Sequence, residues 1–276
     1  MSTATVPPER LTAAVVATPT SATRRFGLLR HSGALAWRGV LKTIRTPESL
    51  IDVTLQPVIF LALFVYVFGG AIGGSQHSYL QYILPGILGQ NVAFAAVAIG
   101  VNLNTDLEKG VFDRFRSLPI SRGAPLIGAV LSDVIRFAVL SIVCVAFGLA
   151  MGFRVHTNPL AAVAACLLSI GFALCLSWAS VWIGLLARAP GAVQGISFLV
   201  LFPLTFGSSA LVRTDTMPGW LQAFNHVNPM THLVNAMRGL MVGGPVATEV
   251  GWTLLSMGAL LVIFVPLALH AYRRRA

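Results

Sequence analysis

Apolar runs of membrane-crossing length constrain this chain more than any other feature. They lie near 50–72, 82–103, 126–151, 159–187, 194–212 and 252–272, with short polar breaks between them. A crossing takes about 20 apolar residues, and in lipid the backbone has to satisfy its own hydrogen bonds, so each run is read as a helix. Only 10% of the 276 residues are charged and the mean hydropathy is +0.80. A soluble domain carries about 25% charged residues. The expected fold is an all-α polytopic membrane protein with six transmembrane helices.

The cations set the orientation. With both termini inside, fifteen of the 19 Lys and Arg are cytoplasmic, including Arg188 and Arg273 to Arg275, while only Arg154, Arg213 and Arg238 are outside. That bias follows the positive-inside rule and fits a multi-pass protein of the plasma (bacterial inner) membrane with cytoplasmic N- and C-termini. The net charge of +10 is scattered between apolar runs, which argues against a nucleic-acid partner. Residues 1–25 read as a disordered cytoplasmic tail, their apolar patch being too short and broken for a signal peptide. Residues 26–47 read as an interfacial amphipathic helix. Trp37, Val40, Leu41 and Ile44 form one face and Arg38, Lys42 and Arg45 another, an arrangement suited to lipid headgroups. A solvated basic tail accounts for the charges but not for the apolar stripe.

Within the runs a few polar residues stand out. Pro57 is placed near the start of the first span, which ends in Gly69-Gly70-Ala71-Ile72-Gly73-Gly74, either a close helix contact or a flexible exit turn. Gln90, Asn91 and Asn102 bond neighbouring helices or line a cavity. Asp133 and Arg136, three apart, share a helix face. Ions at that depth need partners, so they either pair or line the cytoplasmic end of a translocation path. Cys144, Cys166 and Cys175 lie singly in apolar runs, so neither disulfide nor metal site is expected. The segment 213–249 is too polar to span and reads as a re-entrant or surface-lying hairpin on the outer side, with short helices from Pro218 to Val227 and from Asn228-Pro229 to Leu240.

Between the second and third runs lies a charged amphipathic island, Asn104 to Pro125. Leu107, Val111, Phe115 and Leu118 recur at helical spacing, with Asp106, Lys109, Asp113, Arg114 and Arg116 mostly elsewhere around the helix. No GxxxxGK[ST], HExxH or GxSxG occurs, so the chain carries no P-loop and no common hydrolase signature, and no catalytic residue is assigned. A transport path powered from elsewhere fits these features, and the island is where that power could enter. An ion-coupled secondary carrier of small amphipathic molecules is the alternative, with Asp133 as the carboxylate well inside a span.

Glu108-Lys109-Gly110-Val111-Phe112-Asp113-Arg114-Phe115-Arg116-Ser117-Leu118-Pro119-Ile120-Ser121-Arg122 resembles the signature between spans two and three of type-2 ABC transporter permeases. Its RFRSLPISR wording is closest to the daunorubicin/doxorubicin-resistance permeases. Met217 to Leu221 and Asn228 to Gly239 resemble the same family's outer hairpin. The resemblance implies an ABC type-2 transmembrane domain over 48–276 and a coupling helix over 104–119. It further implies a pair of permeases, identical or different, working with two P-loop ABC ATPase subunits that hold ATP and Mg. Glu108, Lys109, Gly110, Phe112, Arg114, Phe115, Arg116, Leu118 and Pro119 would then couple to the ATPase, and Pro218, Trp220, Asn228, Pro229 and Arg238 would mark the outer hairpin. The family often has Tyr where this chain has His232 and an acid near Asn235. The implied passenger is an amphipathic drug or natural product; a lipid, glycolipid or polysaccharide is the other reading.

Overall fold

The structure, a computed structural model, describes residues 47–110 and 124–275, and every regular element among them is helical. The tail expected at 1–25 and the interfacial helix expected at 26–47 lie outside the described residues, apart from Pro47. Helix α1 (Pro47–Leu63) passes through one π-turn (Phe64–Phe68) into a short α2 (Gly69–Gly73). Gly74, at φ 69°, turns the chain, and the Ser75 side chain caps α3 (Gln76–Ala95) by accepting the Ser78 N–H at 3.1 Å. A Cβ on Gly73 would sit 2.5 Å from Tyr79 Cβ. The glycine run thus serves an exit turn that folds back tightly on α3.

Helices α3 and α4 (Val97–Glu108) meet at Ala96, whose N–H still bonds Val92 and Phe94 carbonyls, and together they form one run of 33 residues. At ~1.5 Å per residue this rod is about 50 Å long against a hydrocarbon core of ~30 Å, so it projects beyond the lipid tails. It is also the most buried of the long runs. Then follow α5 (Ala124–Ala150), α6 (Pro159–Leu186), α7 (Pro190–Phe206), the hairpin helices α8 (Gly219–Val227) and α9 (Pro229–Val242), and α10 (Ala247–Arg275). Asn158 caps α6 by accepting the Leu160 N–H at 3.0 Å, and Pro159 takes the first helical position, where its missing N–H is harmless.

Among the described residues five helical runs are long and apolar enough to cross a membrane. Helix α7, with 17 residues, reaches about 25 Å, the short end of a crossing. Helix α6 occupies the centre, packed on α10, α4, α9, α5 and α3. Leu84, Ile87, Leu88, Phe137, Phe172, Val181 and Met237 fill the shared core. The outer wall is apolar as well, with Leu160, Leu199, Phe202, Leu255 and Val262 exposed, a surface that suits lipid rather than water.

Three expected boundaries shift. Helix α7 stops at Phe206 rather than Val212, because after Pro203 the Gly207 N–H closes the helix on the Pro203 carbonyl and the chain turns. Residues Asn104 to Glu108, expected to begin the coupling helix, are the last turn of α4; no breaker precedes Gly110, so the rod runs on. Pro57 lies inside α1 rather than near its start, since the helix begins at Pro47. There it removes one helical hydrogen bond and weakens the wall it belongs to.

Candidate translocation cleft and its two ends

Helices α1, α3, α4, α5 and α7 enclose a cleft of about 400 Å³. Four carboxamides face it, Gln56 from α1, Asn91 from α3, Asn102 from α4 and Gln194 from α7. Each offers donor and acceptor groups without a formal charge. Asn91 spends its Nδ2 donor on the Ile87 carbonyl at 2.9 Å, which leaves its Oδ1 for the cleft. Phe94 of α3 and Phe198 of α7, both on its lining, stack with ring centroids 5.3 Å apart. Lipid tails satisfy none of these amides, so a wall that carries four of them at membrane depth suits water or the polar edge of a passenger.

Arg136 reaches the wall of this cleft; Asp133 does not line it. The two side chains approach to 4.0 Å and both are largely buried. That is an ion pair without a hydrogen bond between them. Pairing lowers the cost of holding a guanidinium at this depth.

At one end of the bundle α4 stops at Glu108. Lys109 caps it, with its N–H on the Thr105 carbonyl, and Gly110 follows at φ 64°. A left-handed residue here ends the helix abruptly, and glycine takes that conformation without steric penalty. Glu108 and Lys109 are exposed. The coupling residues expected beyond them, Phe112, Arg114, Phe115, Arg116, Leu118 and Pro119, lie outside the described residues.

At the other end the hairpin is built from caps. Pro218 opens α8 and leaves Trp220 exposed on its first turn. Buried Asn228 ends α8 and starts α9, its Oδ1 accepting the Met230 N–H at 3.0 Å and its Nδ2 donating to the Leu204 carbonyl at 2.8 Å. Pro229 occupies the first position of α9. Arg238 then locks three segments together. Its guanidinium lies 3.8 Å from the Tyr82 ring centroid and donates to Asn235 Oδ1 and the Ser209 carbonyl, both at 2.9 Å, with a longer bond to the Tyr82 carbonyl at 3.3 Å. Tyr82 and Tyr79 hydroxyls bind the carbonyls of Ser209 and Leu211 at 2.8 and 3.1 Å. The turn that follows α7 is therefore held by α3 and α9 as well as by its own helix.

The family profile described as ABC-2 type transporter matches residues 31–242. The chain belongs to the ABC-2 type transporter family. Among its relatives, the daunorubicin resistance ABC transporter permease protein DrrB1 of Streptomyces coeruleorubidus is 42% identical, over 93% of this chain and 89% of that protein. The doxorubicin resistance ABC transporter permease protein DrrB of Mycobacterium tuberculosis is 34% identical over 84% and 83% of the two chains. A putative transport permease of Cyanophora paradoxa, ycf38, is 29% identical over 80% and 77%. The chain is thus a multi-pass ABC-2 permease.

Several residues of this ABC-2 permease gain their importance only from the fold. Gln56 and Gln194 are single amides in apolar stretches and stand out only when four helices bring them to one cleft. Tyr82 and Ser209 lie far from Arg238 in sequence. His232 bridges Glu249 at 2.8 Å and the His226 carbonyl at 3.1 Å while stacking on Trp252.

Proposed function

We propose that this permease is the membrane-spanning subunit of an ATP-driven exporter that moves an amphipathic drug or natural product out of the cytoplasm or inner leaflet. The observation that carries the reading is the 42% identity to a daunorubicin resistance permease along nearly the whole chain. The amide-lined cleft agrees with it, because such a passenger needs hydrogen-bond partners as well as aromatic contact on its way through lipid.

The work is divided between subunits. ATP and Mg belong to a separate P-loop ABC ATPase, and this chain binds no cofactor. The coupling segment that follows the last turn of α4, up to Pro119, faces the cytoplasm and docks on that ATPase, with Phe112, Phe115 and Leu118 as apolar knobs and Glu108, Arg114 and Arg116 setting orientation by charge. ATP binding closes the ATPase pair and pushes the stem of α4. Two permeases, with their clefts facing, complete the conduit, surrounded by membrane lipid. The test is ATPase activity of the reconstituted permease–ATPase complex across a panel of amphipathic drugs, lipids and glycolipids. Stimulation by drug-like compounds is expected; stimulation confined to lipids or glycolipids would reassign the passenger.

A further inference from the structure

Asn104 is buried at the junction of α4 and α6. Its Nδ2 donates to two carbonyls, Gly184 at 2.8 Å and Ala187 at 2.9 Å. These belong to the end of α6, where helical carbonyls lack intrahelical partners, so one side chain of α4 caps the neighbouring helix. Just above, the backbones touch. A Cβ on Gly184 would lie 2.5 Å from the Gly100 carbonyl oxygen, and one on Gly100 would lie 2.2 Å from that of Ser180. No sliding register between α4 and α6 is available without breaking both the cap and this contact. Asn104 also lies one turn before Glu108, where the stem leaves toward the coupling segment.

The opposite end of α6 is pinned as well. The His156 N–H donates to the Met241 carbonyl at 3.1 Å, and the Thr157 hydroxyl donates to the Leu240 carbonyl. Both acceptors lie in the last turn of α9, the helix that holds Arg238. Helix α6 has 28 residues, so it carries a displacement about 42 Å from one pin to the other.

We infer that α6 is the transmission rod of this permease: Asn104 fixes one end to the coupling stem, and Thr157 with His156 fixes the other to the outer hairpin. A push on α4 therefore reaches the hairpin through α6 as well as through the continuous α3, whose Tyr82 lies under Arg238, and needs no passage through the cleft walls α1 and α7. Asn104 and Thr157 are positioning residues on this account and touch no passenger. The inference rests on the proposed docking of the island on an ATPase.

The test uses the reconstituted permease–ATPase complex, with export per ATP hydrolysed as the readout. Asn104→Leu and Thr157→Val each remove a pin while keeping volume. Each is expected to lower export per ATP by roughly five- to tenfold with ATPase binding intact. The double variant should fall no further than the worse single one, because the two pins lie in series along α6. Ser169→Ala on α6, whose hydroxyl bonds only its own helix at Cys166, should change nothing. Should Asn104→Leu fail to insert, Thr157→Val carries the test alone. Normal export per ATP in an inserted pin variant, or losses that multiply in the double, would overturn the inference. Cross-linking Phe115→Cys to the ATPase tests the docking separately: no cross-link sinks the docking, and a cross-link beside normal pin variants sinks only the rod.

Discussion

Replacing Arg238 with Ala should loosen the α8–α9 hairpin by about 3 kcal/mol, a figure that follows from its partners. Two bonds at 2.9 Å are lost, each worth about 1.5 kcal/mol at the low end for a charged donor, because the acceptors retain other donors. Asn235 Oδ1 still receives the Ser209 hydroxyl and the Ser209 carbonyl still receives Tyr82. The guanidinium 3.8 Å from the Tyr82 centroid adds about 1 kcal/mol, which relaxation of the turn partly offsets. Arg238→Lys keeps a cation over the ring but not the planar fork, so it should lose only about half as much. Amide hydrogen exchange on the purified protein in nanodiscs reads this directly. For a local opening, about 3 kcal/mol is roughly a hundredfold in exchange rate over residues 208–212, with Arg238→Lys near tenfold. Exchange within threefold of the parent for Arg238→Ala, or equal rates for the Ala and Lys variants, would refute the clamp.

Three further outcomes follow from geometry. Asn228→Ala removes both a cap and the tie to Leu204 and should cost about 2 kcal/mol by thermal unfolding in detergent, whereas Asn228→Ser keeps a capping oxygen and should lose about half of that. Gly86→Ala drives a Cβ to 2.1 Å from the Ala210 carbonyl, while the same change at Gly70 meets open space; the first should destabilise by about 1–3 kcal/mol and the second by less than 1, read as loss of monodisperse protein on heating. Leu at both Asn91 and Gln194 should raise the passenger concentration needed for half-maximal ATPase stimulation about tenfold, as two polar partners are lost from the cleft.

Much of the architecture was readable because lipid leaves a chain few options. Apolar stretches of about 20 residues have one stable form in a bilayer, and the Asn228-Pro229 break announces its own turn through cap chemistry. Boundaries were harder. Leu211 and Val212 look like continued span by hydropathy, yet the chain has already turned at Gly207, and the freed carbonyls are satisfied by tyrosines from another helix. The site was half visible. Asn91, Asn102 and Arg136 stood out as polar residues in apolar runs. Gln56, Gln194 and the Phe94–Phe198 stack did not, because a cleft is a property of helix packing that periodicity along one helix does not record. Asn104 opens the charged island in sequence, while its burial and its two carbonyl partners make it part of the helical core. Arg238 is legible as an outer cation and, through the family resemblance, as a mark of the hairpin; its clamp depends on Ser209 and on Tyr82, 156 positions away.

Transport by purified components tests the central claim most directly. The permease is reconstituted into liposomes with its ATPase or alone, and uptake of a fluorescent amphipathic drug into inside-out vesicles is followed with ATP or with an imposed proton or sodium gradient. Uptake that requires both the ATPase and ATP is the predicted result. Uptake by the permease alone, driven by an ion gradient, would contradict it.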